Sequence, residues 1–383
     1  MHVEQRVWSD GAAWSAPVGG VDRERAQLAW VFGARACLTA DRLAEIRAWY
    51  PAARLVGCST AGEVHGTTVA DRTVVVTAVE FASTTIREAT AAVSDAPDGQ
   101  ALGRRLGAAL DPHGLKHVVV LSDGLHVNGT ALVAGLTTAL PPEVTLSGGL
   151  AADGTHFERT CVVADGDVRE RHVVALGFYG EAFRSSSASL GGWDPFGPER
   201  MITRSNGNVL HELDRQPALE LYKRYLGDQA AELPASALLF PLAVRVGGEA
   251  PVVRTILSVD EREGSMTFAG DMPQGAHARL MRANFDRLVD GAVGAAQATT
   301  IRARTEPALA LLISCVGRKI VLSQRAEEEV EAVRDVLGPR VTLAGFYSYG
   351  EISPFTPGAR CELHNQTMTI TAFSEDAVHA PAA

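Results

Sequence analysis

Three segments of the chain repeat one order of elements, and no other feature of the sequence constrains the fold as tightly. The first runs from the apolar strand LAWVFGA (Leu28 to Ala34) into a helix DRLAEIRAWY that Asp41 is predicted to cap. It continues through the short strand RLVG, a glycine turn and the alternating strand TVVVTAVEF (Thr73 to Phe81). The second has HVVVLSDG (His117 to Gly124), the helix GTALVAGLTTAL ended by Pro141 and Pro142, then VTLSGGLAADG and HVVALGFYG (His172 to Gly180). The third has ALALLISCVGR (Ala308 to Arg318), the helix AEEEVEAVRDVLG, then VTLAGFYSYGEISPF and QTMTITAF (Gln366 to Phe373). Each unit reads strand, helix, strand, glycine turn, strand. Three copies separated by long insertions do not make a solenoid; they predict an α/β fold in which the repeated units form mixed sheets.

Between the second and third units the grammar changes. After the turn-rich WDPFGPERMITRSNG, the segment NVLHELD reads as a short strand with Val209, His211 and Leu213 on one face. Pro217 opens a helix PALELYKRYLG that Gly227 closes. Strands are expected in ASALLFPLAVRV, VVRTILSV and SMTFAG, followed by a long amphipathic helix over about 275–297. The chain is therefore divided into domains at 28–220 and 221–375.

With 383 residues and 46% apolar content, the chain can bury a large core. Its net charge of −10 offers no footprint for nucleic acid or anionic lipid. No stretch approaches the ~18 uninterrupted apolar residues of a membrane span, and MHVEQRVWSDGAAWS has no apolar leader core, so the expected location is the cytoplasm. Cys37, Cys58, Cys161, Cys315 and Cys361 are odd in number and lack C-x-x-C spacing, which points to reduced thiols.

The glycine turns carry the functional question. Gly57-Cys58-Ser59-Thr60-Ala61-Gly62-Glu63 is echoed by Gly345-Phe346-Tyr347-Ser348-Tyr349-Gly350-Glu351, with glycine first and sixth and glutamate seventh. Such loops can present N–H groups and short side chains to a small ligand, and they equally suit a tight turn whose glutamates cap or pair with arginines. A nucleophile elbow is excluded because the glycines of GCSTAG stand one residue too far apart. A cysteine-dependent enzyme would need a base beside Cys58, and His65 is seven residues on, so a non-enzyme is the stronger reading. In SDGLHVNGT, Asp123, His126 and Asn128 offer metal or phosphate ligands without a standard spacing; a loop with a helix cap is the plainer alternative.

VGCSTAGEV, SDGLHVNGT, GGLAADG, SCVGR and GFYSYGEISPF…ELHNQTMTI resemble the signatures of the FIST family, bacterial sensory proteins with an N-terminal and a C-terminal FIST domain. The resemblance spans about Trp30 to Phe373. It implies a small-ligand sensor in signal transduction, with Gly57, Cys58, Ser59, Gly62, Glu63, Gly345, Tyr349, Gly350 and Glu351 at the ligand. It further implies a separate partner, a histidine kinase or cyclic-dinucleotide enzyme, and leaves room for a homo-oligomer. WDPFGPERMITRSNGNVLHELD and PALELYKRYLG resemble the stand-alone haem-containing, nitric-oxide-sensing members. That resemblance implies a non-covalent haem b with His211 as axial ligand to the iron, beside Trp193 and Phe196. His65, His126, His156 and His172 stand in reserve, and His113, His117, His277, His364 and His379 lie near edges or tails. The alternative within the family is a metabolite such as an amino acid, with Glu63 and Glu351 receiving an ammonium and Arg318 a carboxylate.

Overall fold

The computed structural model describes residues 1–233, 235–300, 307–356 and 358–376; His379 lies outside them. The first unit contributes β1 (His2–Ser9), β2 (Val18–Gly19), β3 (Leu28–Gly33), α1 (Ala40–Trp49), β4 (Arg54–Ser59), the hairpin β5 (Glu63–His65) and β6 (Thr68–Ala70), and β7 (Thr73–Glu80). The second contributes β8 (Thr85–Ala92), α2 (Gly99–Ala109), β9 (Leu115–Ser122), α3 (Gly129–Ala139), β10 (Thr145–Leu150), the hairpin β11 (Val162–Ala164) and β12 (Asp167–Arg169), and β13 (His172–Tyr179). The third begins with β14 (Phe183–Leu190) and is then interrupted by an insertion. That insertion comprises β15 (Asp194–Asn206), β16 (Val209–Leu213), β17 (Gln216–Pro217), α4 (Ala218–Leu226), β18 (Leu242–Arg245), β19 (Val252–Arg254), β20 (Ile256–Asp260), β21 (Ser265–Phe268) and β22 (His277–Arg282). The unit resumes with α5 (Phe285–Thr300), β23 (Leu309–Cys315), α6 (Val316–Leu322), α7 (Ala326–Leu337), β24 (Thr342–Ser348), the hairpin β25 (Gly350–Pro354) and β26 (Cys361–His364), and β27 (Met368–Glu375).

The units complete one another in a cycle. Strand order is β12-β11-β4-β3-β7-β1-β2 in the first sheet, β26-β25-β10-β9-β13-β8 in the second and β14-β27-β23-β24-β5-β6 in the third. Each sheet thus ends in the hairpin of another unit: the second unit's hairpin joins the first sheet, the third's joins the second, and the first's joins the third. Within each sheet the two strands flanking a helix (β3 and β4, β9 and β10, β23 and β24) pair in parallel, as a helical crossover requires, and the rest pair antiparallel. The fold is α/β with mixed sheets.

Side-chain alternation builds an inner core and two helix-facing clusters outside it. Trp30, Phe32, Val119, Leu121, Leu311 and Ile313 point inward into a cluster shared by all three sheets. Val31 instead faces α1, and Val120 and Leu312 face the helices over the other two sheets. One glycine per unit sits opposite these outward residues: Gly57 pairs with Val31, Gly148 with Val120 and Gly345 with Leu312. A Cβ at any of the three would be driven into the facing strand's carbonyl, so the parallel strands approach this closely only with glycine there.

The insertion forms an eight-stranded sheet around its own cluster of Leu210, Leu219, Tyr222, Met266 and Phe268. Pro217 caps α4 and Gly227, at φ 56°, ends it. The 220/221 division falls inside α4, and the insertion's strands come from both sides of it. Several local expectations need correction. Thr39, not Asp41, caps α1, its side chain accepting the Arg42 N–H. Residues 277–282 form β22, with Ala278 and Leu280 buried in alternation, and the helix begins only at Phe285. ASALL is a 3₁₀ turn ahead of β18, and VVRTILSV splits into β19 and β20 at Thr255.

Candidate functional site

The three glycine turns meet and close a ring. Ala61 donates its N–H to the Tyr347 carbonyl (2.8 Å), Tyr349 to Leu150 (3.2 Å) and Ala152 to Ser59 (2.8 Å). In every turn the donor lies two residues after the acceptor, so each unit gives one bond and takes one. The ring leaves little main chain free for a ligand: Ser59 also donates to the Cys161 carbonyl, Tyr347 to Gly62 and Gly154 to Thr60.

Glu63 and Glu351 occupy matching positions beneath this ring, both fully buried. Glu63 accepts from the Thr60 hydroxyl and, on its other oxygen, from the N–H (3.1 Å) and hydroxyl (2.6 Å) of Thr73. Glu351 accepts from the Ser348 hydroxyl (2.7 Å) and from the N–H (3.1 Å) and hydroxyl (2.9 Å) of Thr367. Burial pushes Glu63 up to about 7 and Glu351 up to about 8 against those donors. The second unit lacks the glutamate: Val162 stands at that ladder position, because the loop before it is longer. That loop is folded onto Asp153, which accepts the N–H groups of Phe157, Glu158 and Arg159 and the Tyr349 hydroxyl.

The other sequence candidates are distributed as follows. Gly57 and Gly345 face carbonyls, Gly62 and Gly350 lie at hairpin starts, and Ser59 donates order to the ring through its hydroxyl bond from the Cys161 N–H (3.0 Å). Cys58 is fully buried, and burial raises its thiol well above the ordinary range, the reverse of an activated nucleophile. Arg318 is consumed by Glu329 (2.6 Å) and by the carbonyls of Gly191 and Leu288, with both charged side chains fully buried. Asp123 folds the SDGLHVNGT loop by accepting the N–H groups of Leu125 and His126, and Asn128 caps α3.

His211 does not lie on the buried face that simple alternation predicts. The β15–β16 ladder slips between Leu210 and Glu212, so Leu210 takes the buried place and His211 is half-buried. The aromatics expected around it are also parted. Trp193 donates to the Gln366 carbonyl (2.8 Å) and packs with Leu288 and Val321, whereas Phe196 packs against Phe240 in the insertion's core. These residues do not form an apolar slot for a porphyrin, and among the described residues no group of three or more His, Cys, Asp or Glu could hold a metal ion. His117 is fully buried between Thr145 and Ser147, His172 holds the Glu170 carbonyl, and His126 holds Asp123.

A site the sequence reading missed lies where the insertion covers the groove between α3 and β26. It is a cavity of about 190 Å³ lined by Thr130 and Val133 of α3, Glu362 and Leu363 of β26, and Arg254 and Asp271 of the insertion. Arg254 is 5% exposed; its guanidinium donates to the Leu363 carbonyl (2.8 Å) and the Asp271 carbonyl (3.3 Å). Burial pulls it down to about 10 against the attraction of Glu362 and Asp271. Burial also raises the half-buried Glu362 carboxyl. The Thr130 hydroxyl on the cavity wall has no hydrogen-bond partner. No local pattern in the sequence marked this cavity, whose wall is assembled from α3, the insertion and β26.

Two sensory domain models match the chain: the FIST N domain over residues 27–216 and the FIST C domain over residues 218–354. The chain belongs to the FIST family, whose domains are associated with small-ligand sensing in signal transduction. No curated protein matches it. No helix among the described residues is long and apolar enough to cross a membrane.

Proposed function

We propose that this chain senses a small ligand taken into the cavity between α3, β26 and the insertion, and that Arg254 anchors it. The observation that carries the reading is a nearly buried guanidinium bonded only to main-chain carbonyls while facing a cavity. A guanidinium at such depth with no direct ion pair among the described residues, attracted only at longer range by Glu362 and Asp271, is costly, and an anionic ligand group would offset that cost. Glu362 of β26 and Glu249 of the insertion also line the cavity, so a small zwitterion such as an amino acid suits it. The cavity is walled by residues of both matched domains, so ligand closure would draw the insertion and α3 together. A separate histidine kinase or cyclic-dinucleotide enzyme would read that change. Titration of the protein with amino acids, followed by calorimetry on wild type and Arg254→Gln, tests the reading: binding confined to wild type supports it.

A further inference from the structure

The groove between a unit's helix and the donated hairpin occurs three times, and the chain bridges or roofs two of them itself. Between α7 and β6, the Glu327 carboxylate accepts the Val69 N–H (3.0 Å) and bridges helix and hairpin. Between α3 and β26, the insertion forms the roof and Arg254 reaches in. Between α1 and β12, among the described residues, no other element of the chain enters, and only the arginine side chains of its own walls reach across. The groove there measures about 790 Å³, inside the range of roughly 300–1,000 Å³ typical of small-molecule sites.

Three guanidiniums, those of Arg35, Arg47 and Arg169, line this open groove over an apolar floor of Leu38, Leu43 and Val168. Each is held in place. Arg47 donates to the Asp165 carbonyl (3.3 Å) and lies flat on Gly166, where a Cβ would displace it; Gly166 also needs its φ of +77° to turn the hairpin. Among the described residues no carboxylate pairs with Arg47. Arg35 donates to Glu170 (2.6 Å), while its Nε is buried without a partner. Arg169 pairs with Asp165 (3.2 Å) and Asp167 (3.7 Å), and Asp167 is the one carboxylate in the lining. The adjoining cavity of about 280 Å³ shares Arg47 and contains Glu88, whose side chain is 2% exposed and whose Oε2 accepts no hydrogen bond.

We propose that this groove is a second binding site, for a phosphorylated small molecule of the nucleotide class. The planar forks of several arginines match phosphate oxygens in number and shape, where a single carboxylate would engage fewer of them. The floor of Leu38, Leu43 and Val168 would take the base, and Glu88 Oε2, which faces Arg54 at 3.9 Å but accepts no hydrogen bond, would accept from its amino group. The site is independent of the Arg254 cavity.

Equilibrium titration at low salt with inorganic phosphate, AMP and GMP tests the proposal, on wild type, Arg47→Gln, Arg169→Gln and Arg254→Gln. Arg47 is exposed, so its variant should melt with wild type. The expected result is that a nucleotide binds wild type and Arg254→Gln alike, more tightly than phosphate alone. Its affinity should fall at least tenfold in either groove variant and fall with added salt. Absence of nucleotide binding at millimolar concentration, unchanged affinity in both groove variants, or loss in Arg254→Gln alone would overturn it. So would binding of phosphate as tightly as nucleotide, or binding of an oligoglutamate peptide in place of nucleotides.

Discussion

The Ala61 N–H donates to the Tyr347 carbonyl at 2.8 Å across 286 residues of sequence (347 less 61), and the same bond recurs from Tyr349 to Leu150 and from Ala152 to Ser59. This ring and the exchanged hairpins make the three units one cooperative body, since no unit completes its own sheet. The prediction is that Gly57→Ala, Gly148→Ala or Gly345→Ala each lowers stability by about 3 kcal/mol or more, at the upper end of overpacking effects, because backbone cannot yield as a side chain can. Gly20→Ala, with nothing within 4 Å and no positive φ, should stay within about 0.5 kcal/mol. Denaturant unfolding of the four variants decides it; equal effects would contradict the close-approach argument.

Glu63 and Glu351 should make stability depend on pH. Their folded-state values, about 7 and about 8, lie above the ordinary carboxyl value of 4.5, so the folded chain binds these protons more tightly than the unfolded chain. Their contribution is fully present below about pH 4.5 and is lost as pH rises through 7 and 8. Glu351→Gln should flatten the decline of stability between pH 5 and 8, measured by urea midpoints. A wild-type profile that rises across that window, with the variant following it, would count against the assignment.

The buried pair Arg318–Glu329 should be unforgiving. Glu329→Gln leaves a fully buried guanidinium without its carboxylate and should cost about 3–5 kcal/mol. Thermal unfolding checks this, and a loss below about 1 kcal/mol would mean that water reaches Arg318.

Thiol chemistry separates the sealed turn from an active one. Among the cysteines only Cys361 is more than marginally exposed, so a thiol reagent should modify it first and reach Cys58 only on unfolding. Peptide mapping after brief labelling reads the order; preferential labelling of native Cys58 would revive the enzyme reading.

His211 carries the haem question. His211→Ala at a half-buried bulge position should leave stability within about 0.5 kcal/mol. Added haemin should give no Soret band that depends on this residue. A band present in wild type and lost in the variant would overturn the reading that His211, Trp193 and Phe196 form no porphyrin slot.

The repeat and the paired glycine–glutamate turns were legible because each is local: period-two alternation, a capped helix and a glycine lie within one short window. Strand exchange was not, since nothing within Glu63–His65 says that it pairs with Ala344 to Phe346 instead of its own unit. The second turn was harder to align because its longer loop replaces the glutamate with Val162. Arg254 could not be ranked above other arginines, because its burial depends on the Leu363 carbonyl, 109 residues further on. The face of His211 was misread for a related reason, a ladder slip that alternation cannot foresee.

The central claim is that Arg254 anchors the sensed ligand, and calorimetric titration with the standard amino acids and small carboxylates tests it most directly. Wild type should bind at least one of them, with affinity lost in Arg254→Gln and weakened in Thr130→Val, a variant that removes only the unpartnered hydroxyl on the cavity wall. Unchanged affinity in both folded variants, or no binding to wild type by any of these probes, would contradict the account.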